Sequence, residues 1–186
     1  MATIESPTRL LTAEDLLEMP DDGRNYELVR GKLVLMNPPK PPHGFVSGNI
    51  AFIVTGFVRA HGLGNVLIND SGVVTRRRPD TVRGADIAYY SRSAIPDVLA
   101  LRGYAAVPPE LVFEVRSPSD RWSEITEKVS EYLTVGVKAV CVVNPNNRSV
   151  QLFTDESDPR RLEADDTLEF PEILPGFSVT VGRFFE

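Results

Sequence analysis

One cysteine, Cys141, stands among 186 residues, and it lies inside the apolar run KAVCVV. That excludes an internal disulfide and points to a reducing compartment. Histidine is almost as scarce. His43 and His61 are the only two, too few for a histidine-rich metal centre, and a lone cysteine cannot form a CxxC pair. A Ser-His-Asp triad would have to use one of those two histidines, and no GxSxG turn is present. The chain also lacks the glycine-rich GxxxxGK[ST] loop that cradles phosphates. Long apolar runs are missing. The best of them, IAFIVTGFV, is far shorter than the roughly 20 residues that cross a bilayer. The N-terminal stretch MATIESPTRLLTAEDLLEMP carries acids where a signal peptide needs an uninterrupted apolar core. These absences leave a soluble cytoplasmic protein with no membrane partner as the expectation.

A basic excess is also lacking: the formal net charge is −6. The charge is segregated, however. Residues 155–172 hold eight acids and two arginines, whereas residues 72–93 hold five arginines (76, 77, 78, 83 and 92) and two aspartates. A basic stretch of this kind either contacts phosphates or forms a solvated loop. With 42% apolar and 25% charged residues, the composition is that of an ordinary globular chain. Its length suits one domain over residues 1–186, with residues 1–10 as a flexible tail.

Thr12 with Asp15 marks the start of a short helix, AEDLLEM. NYELVRGKLVLMN reads as a hairpin around Gly31, and PPKPPHG as a structure-breaking loop that contains His43. Val46, Ile50, Ile53, Val54, Phe57 and Val58 recur at helical spacing, and Gly62 is placed as the stop. NVLIND, GVVTR and ADIAYY look like three strands, with an arginine-rich loop before the last. ELVFEVR reads as a strand buried on both faces. SPSDRWSEITEKVSEYLTVGV is a second long helix, starting near Ser119 or Asp120 and ending at Gly136. KAVCVVNPNNRSVQLFT is strand, turn, strand. Strands outnumber helices, which predicts an α/β (α+β) fold with a mixed central sheet, helices packed on it and an N-terminal hairpin.

Two carboxylates occupy unexpected places. Glu114 sits mid-strand between apolar neighbours, where a lone charge must be protonated, paired or metal-bound. Arg116, two residues on and on the same face, is the obvious structural partner. Asp86 opens the strand ADIAYY and is either a simple cap or, if the strands are neighbours, a second acid facing Glu114. Two acids at one site resist joint ionisation without a cation, and hard oxygen donors suit Mg²⁺. On the second long helix Lys128 falls roughly 60° to one side of the apolar stripe centred near Ile125 and Tyr132. It either snorkels over apolar surface, pairs with Glu124, or reaches the sheet. Asp80, in the literal Pro-Asp pair, reads as the solvated member of a turn.

The order YELVRGKLVLM, H, ADIAYY, ELVFEVRSPSD, EKVSEYLTVGVKAVCVVNP, PGFSV resembles the Uma-type family of restriction endonucleases, a branch of the PD-(D/E)xK nuclease superfamily. The similarity runs from about residue 10 to the C-terminus. It implies a restriction-endonuclease-like fold and metal-assisted hydrolysis of DNA. Asp86 and Glu114 would hold Mg²⁺ or Mn²⁺, with the Val115 backbone carbonyl as an extra ligand. Lys128 would take the catalytic lysine's role, because Arg116 stands at its usual place. Glu27 and His43 match further polar residues lining the site. Arg76, Arg77, Arg78 and Arg83 would contact the DNA backbone, and a symmetric homodimer would suit cutting both strands. ADI replaces Pro-Asp-Ile, and Asn144 stands where the family has an aspartate. A catalytically silent interaction protein on the same fold, with Arg116 neutralising Glu114, is the alternative. A hydrolase of smaller phosphodiesters is a third.

Overall fold

The computed structural model of the chain describes residues 9–118 and 120–186. Most of the N-terminal tail, and Ser119 as a candidate helix start, therefore lie outside the described residues. The chain runs α1 (Ala13–Leu17), β1 (Asn25–Val29), β2 (Lys32–Met36), α2 (Pro41–Ala60), β3 (Gly64–Arg76) and β4 (Thr81–Ser91). It continues through β5 (Leu111–Val115), α3 (Trp122–Val135), β6 (Ala139–Asn144), β7 (Ser149–Thr154), β8 (Arg160–Leu162), β9 (Thr167–Phe170) and β10 (Leu174–Thr180). Strands β1 to β8 form one sheet in the order β2-β1-β4-β5-β6-β7-β8, with β3 also paired to β4. Among the described residues only β5 and β6 run parallel, and α3 connects them; the other pairs of this sheet are antiparallel. The expected α+β architecture with helices on a central sheet is what the chain adopts.

Each sheet face buries one long helix. Val46, Ile50, Val54 and Val58 of α2 pack with Ile87, Tyr89 and Phe113. Val129 and Tyr132 of α3 pack with Ala88, Tyr90 and Val112. The period-two alternation of β4 and β5 is what feeds two cores from one strand pair. Among the described residues no helix is long and apolar enough to cross a membrane.

Three sequence expectations change. The prolines before α2 do not form a separate loop: Pro41 and Pro42 begin the helix and His43 lies in its first turn. Proline is favoured there because its missing N–H would be unbonded in any case. NVLIND and GVVTR are one strand, β3, interrupted by a register shift between Ile68 and Ser71 where Asn69 and Asp70 take left-handed backbone (φ 65° and 54°). α3 begins at Trp122, and the Asp120 carboxylate instead accepts a hydrogen bond from the Ser117 N–H at 2.7 Å.

Asp80 is a further correction. It is 6% exposed, not solvated. Its carboxylate accepts from the Ala13 N–H at the start of α1, from the Arg78 N–H and from the Arg77 guanidinium. Burial opposes ionisation, but these donors hold its carboxyl below the usual range. Asp80→Asn is therefore expected to cost about 1–3 kcal/mol, read by urea denaturation. A loss within error of zero would mean that the turn is not anchored through this carboxylate.

Candidate active site

The sheet forks along β4. β3 lines one edge of that strand over its length. The other edge is shared: Val82 pairs with Leu28 of β1, and Ile87, Ala88 and Tyr89 pair with Phe113, Val112 and Leu111 of β5. Between Val82 and Ile87 this edge has no strand partner, and side chains take over the backbone groups there. The Gly84 N–H donates to Glu27 Oε1 at 3.0 Å, and the Gly84 carbonyl accepts from Lys128 Nζ at 2.7 Å. One step beyond the Ile87–Phe113 pair, the register sets Asp86 across from Glu114. There the Asp86 carboxylate closes the ladder, accepting the Val115 N–H at 2.7 Å.

The polar groups in the fork are interlocked. Lys128 Nζ lies 2.8 Å from Glu114 Oε2 and 3.1 Å from Glu27 Oε1. The Tyr132 hydroxyl donates to Glu114 Oε1 at 2.9 Å, and His43 Nε2 lies 3.2 Å from Asp86 Oδ2. Burial pushes the Glu114 carboxyl up to about 8; the charge of Lys128 pulls it back and that of Asp86 adds to the rise. Burial works against a charged Lys128, but Glu114, Glu27 and Asp86 together keep its ammonium protonated well above the usual lysine range. Glu27 shows the reverse balance: despite burial, Lys128 and Arg83 hold its carboxyl below the ordinary value. His43 is partly desolvated, which disfavours its charge, yet the hydrogen bond to Asp86 and the surrounding acids raise its pKa.

Thus Asp86, Glu114, Lys128, Glu27 and His43, far apart in sequence, meet at one place. Val115 contributes its N–H to Asp86. Two further members escaped the sequence. Tyr132 read as core stripe, and its hydroxyl is what reaches Glu114. Asp70 sits in the β3 bulge, where a side chain on Gly84 would come within 2.9 Å of the Asp70 Cβ. Loss of solvation and the Asp86 charge lift the Asp70 carboxyl above its usual range. The sequence Asn-Asp-Ser-Gly, tolerant of left-handed backbone, was the available signal for this bulge.

The model of the family described as "Putative restriction endonuclease", Uma2, matches residues 13–182. The chain belongs to the Uma2 family. A crystal structure of "a putative nuclease belonging to DUF820" from Anabaena variabilis shares the fold with a TM-score of 0.79. The match covers 94% of this chain and 97% of that chain at 17% sequence identity. No curated protein matches the chain.

Within this Uma2 chain the expected arginine contacts need revision. Arg83 is 8% exposed and committed to Glu131 at 2.6 Å and Glu27 at 3.0 Å, so it braces the site instead of facing solvent. Arg77 is shared by Glu14 and Asp80 at the β3–β4 turn. Arg76 and Arg78 are exposed, with no ion pair among the described residues. Arg116 is not the partner of Glu114. Its guanidinium donates to the Asp120 carbonyl at 3.2 Å and lies 4.4 Å from the centroid of the Trp122 ring. Lys128 fills the place that the silent-protein alternative assigned to Arg116.

Proposed function

We propose that this Uma2 protein is a DNA endonuclease that uses Mg²⁺ or Mn²⁺ in the β4–β5 fork, with Asp86 and Glu114 as its carboxylate ligands. The observation that carries this is the charge imbalance of the fork. Glu27, Asp70, Asp86, Glu114 and Glu131 face two permanent cations, Lys128 and Arg83, and one histidine. An excess of hard, partly desolvated oxygen donors suits a hard divalent cation. Among the described residues no three His, Cys, Asp or Glu side chains already converge as a ready-made cage. Mg²⁺ does not need one, because it binds through one or two carboxylates and keeps several waters. The residues present therefore fit the ion.

A divalent cation bound there would supply charge neutralisation at the scissile phosphate and a more acidic water. Lys128 carries its charge into the same space, positioned by Glu114 and the Gly84 carbonyl to stabilise negative charge developing on the phosphate. Tyr132 orients Glu114 through Oε1, and His43 and the Val115 N–H orient Asp86 through Oδ2. Glu114, with its carboxyl near 8, can exchange a proton close to neutral pH.

The cation is tested by calorimetric titration with Mn²⁺. An ion at Glu114 must displace the proton that burial holds there, so affinity should rise with pH below about 8 and flatten above it. The slope below pH 8 should approach about tenfold per pH unit. Glu114→Gln should weaken binding and reduce the slope, leaving the smaller part that comes from His43 on Asp86. A pH-independent affinity in the wild type, or the same slope in Glu114→Gln, would count against Glu114 as a ligand.

A further inference from the structure

Beside the fork lies a groove of about 510 Å³, bounded by Val34, Leu35 and Met36 of β2 and by Glu114, Arg116 and Lys128. Three cations line it, and two are spent. Lys128 serves Glu114 and Glu27, and Arg83 serves Glu27 and Glu131. Among the described residues Arg116 has no carboxylate within ion-pair distance. Its guanidinium makes one hydrogen bond among the described residues, to the Asp120 carbonyl, and its buried Nε meets no acceptor among them. The Nε is itself closed off, so what the arginine can offer a ligand is its terminal nitrogens, of which Nη1 makes no hydrogen bond among the described residues. Its planar fork matches two oxygens of a phosphate, and it stacks over the Trp122 ring at 4.4 Å from the centroid. The other charged groups of the groove, Glu124 and Glu127 among them, are acids that repel a polyanion. A strand entering here therefore meets one uncommitted cation.

We propose that Arg116, seated on Trp122, grips the phosphodiester backbone of the nucleic-acid strand next to the Glu114–Lys128 pair. This rests on the nuclease reading and adds the residue that holds its substrate. The sequence pattern left Arg116 as a neutraliser of Glu114, a task that Lys128 performs.

The full chain is titrated with a labelled short duplex oligonucleotide in Ca²⁺, a hard cation that screens the carboxylates, with the DNA checked on a gel to be uncut. Trp122 is the only tryptophan, so its emission reports occupancy of the Arg116 face independently of the label. Wild-type binding should perturb Trp122. Arg116→Gln should weaken binding about tenfold and reduce the salt dependence of log K by about one unit. Arg116→Lys should restore the salt dependence but not the full affinity, because the fork is lost. Thermal melts separate these effects from misfolding, and in cleavage assays KM should rise more than kcat falls. Unchanged affinity and salt dependence in folded Arg116→Gln would overturn the proposal. Saturation by inorganic phosphate as tight as by the oligonucleotide would also overturn it and assign the arginine to free phosphate. If the wild type binds no oligonucleotide, the proposal falls together with the nuclease reading, an outcome distinct from loss of the Arg116 effect alone.

Discussion

Lys128→Ala is expected to destabilise the protein by about 3–5 kcal/mol at pH 8, the range for removing one partner of a buried ion pair. Its ammonium is the shared counter-ion of Glu114 and Glu27 and the hydrogen-bond donor to the Gly84 carbonyl. Without it, Glu27 keeps Arg83 and the Gly84 N–H, whereas among the described residues Glu114 keeps only the Tyr132 hydroxyl. Glu114 can escape by holding its proton. Its carboxyl, raised from 4.5 to about 8 with Lys128 present, would rise further without that charge. A carboxyl whose folded pKa lies above its unfolded value stabilises the fold at low pH, and that contribution disappears as pH rises through the folded value. The loss in Lys128→Ala should therefore be smaller at pH 5 than at pH 8. Urea denaturation at the two pH values checks this. A cost below about 1 kcal/mol at both, or a larger one at pH 5, would show that Lys128 is not the counter-ion.

The register of the site was legible in the sequence, but its wiring was not. Apolar alternation gave Asp86 and Glu114 each a face on its own strand but left open whether the strands are neighbours; the pairing of Ile87 with Phe113 supplies that condition. Helical phase brought Lys128 to the edge of the buried stripe of α3. It could not choose between a snorkelling lysine and one inserted between two carboxylates, because that depends on how closely the helix sits on the sheet. Arg83 and Asp80 were misread for a common reason. Both stand in a charged stretch that looks like a solvated loop. The backbone there continues β4 and turns under α1, and long-range partners, Glu131, Glu27 and Ala13, absorb the charge. Asp70 was hidden because a bulge is visible only against the strand it pairs with. Local pattern reports burial and phase; it does not report which distant side chain satisfies a buried charge.

Asp86→Asn carries the second large effect, and this one is on activity. An asparagine keeps an oxygen for the Val115 N–H, so the end of the β4–β5 ladder survives. It also removes the negative charge that raises the Glu114 carboxyl and so relieves repulsion in the fork. The folded state should therefore melt within a few degrees of the wild type. What disappears is the anionic oxygen that would hold the cation, and hydrolysis should slow by at least about 100-fold. Conversion of supercoiled plasmid to the nicked form, followed in Mg²⁺ or Mn²⁺ with and without chelator, is the direct measurement. The expected result is nicking by the wild type that stops on chelation and is at least about 100-fold slower in a normally folded Asp86→Asn. Nicking that ignores the chelator, or proceeds at the wild-type rate in Asp86→Asn, would contradict a metal-dependent nuclease centred on Asp86 and Glu114.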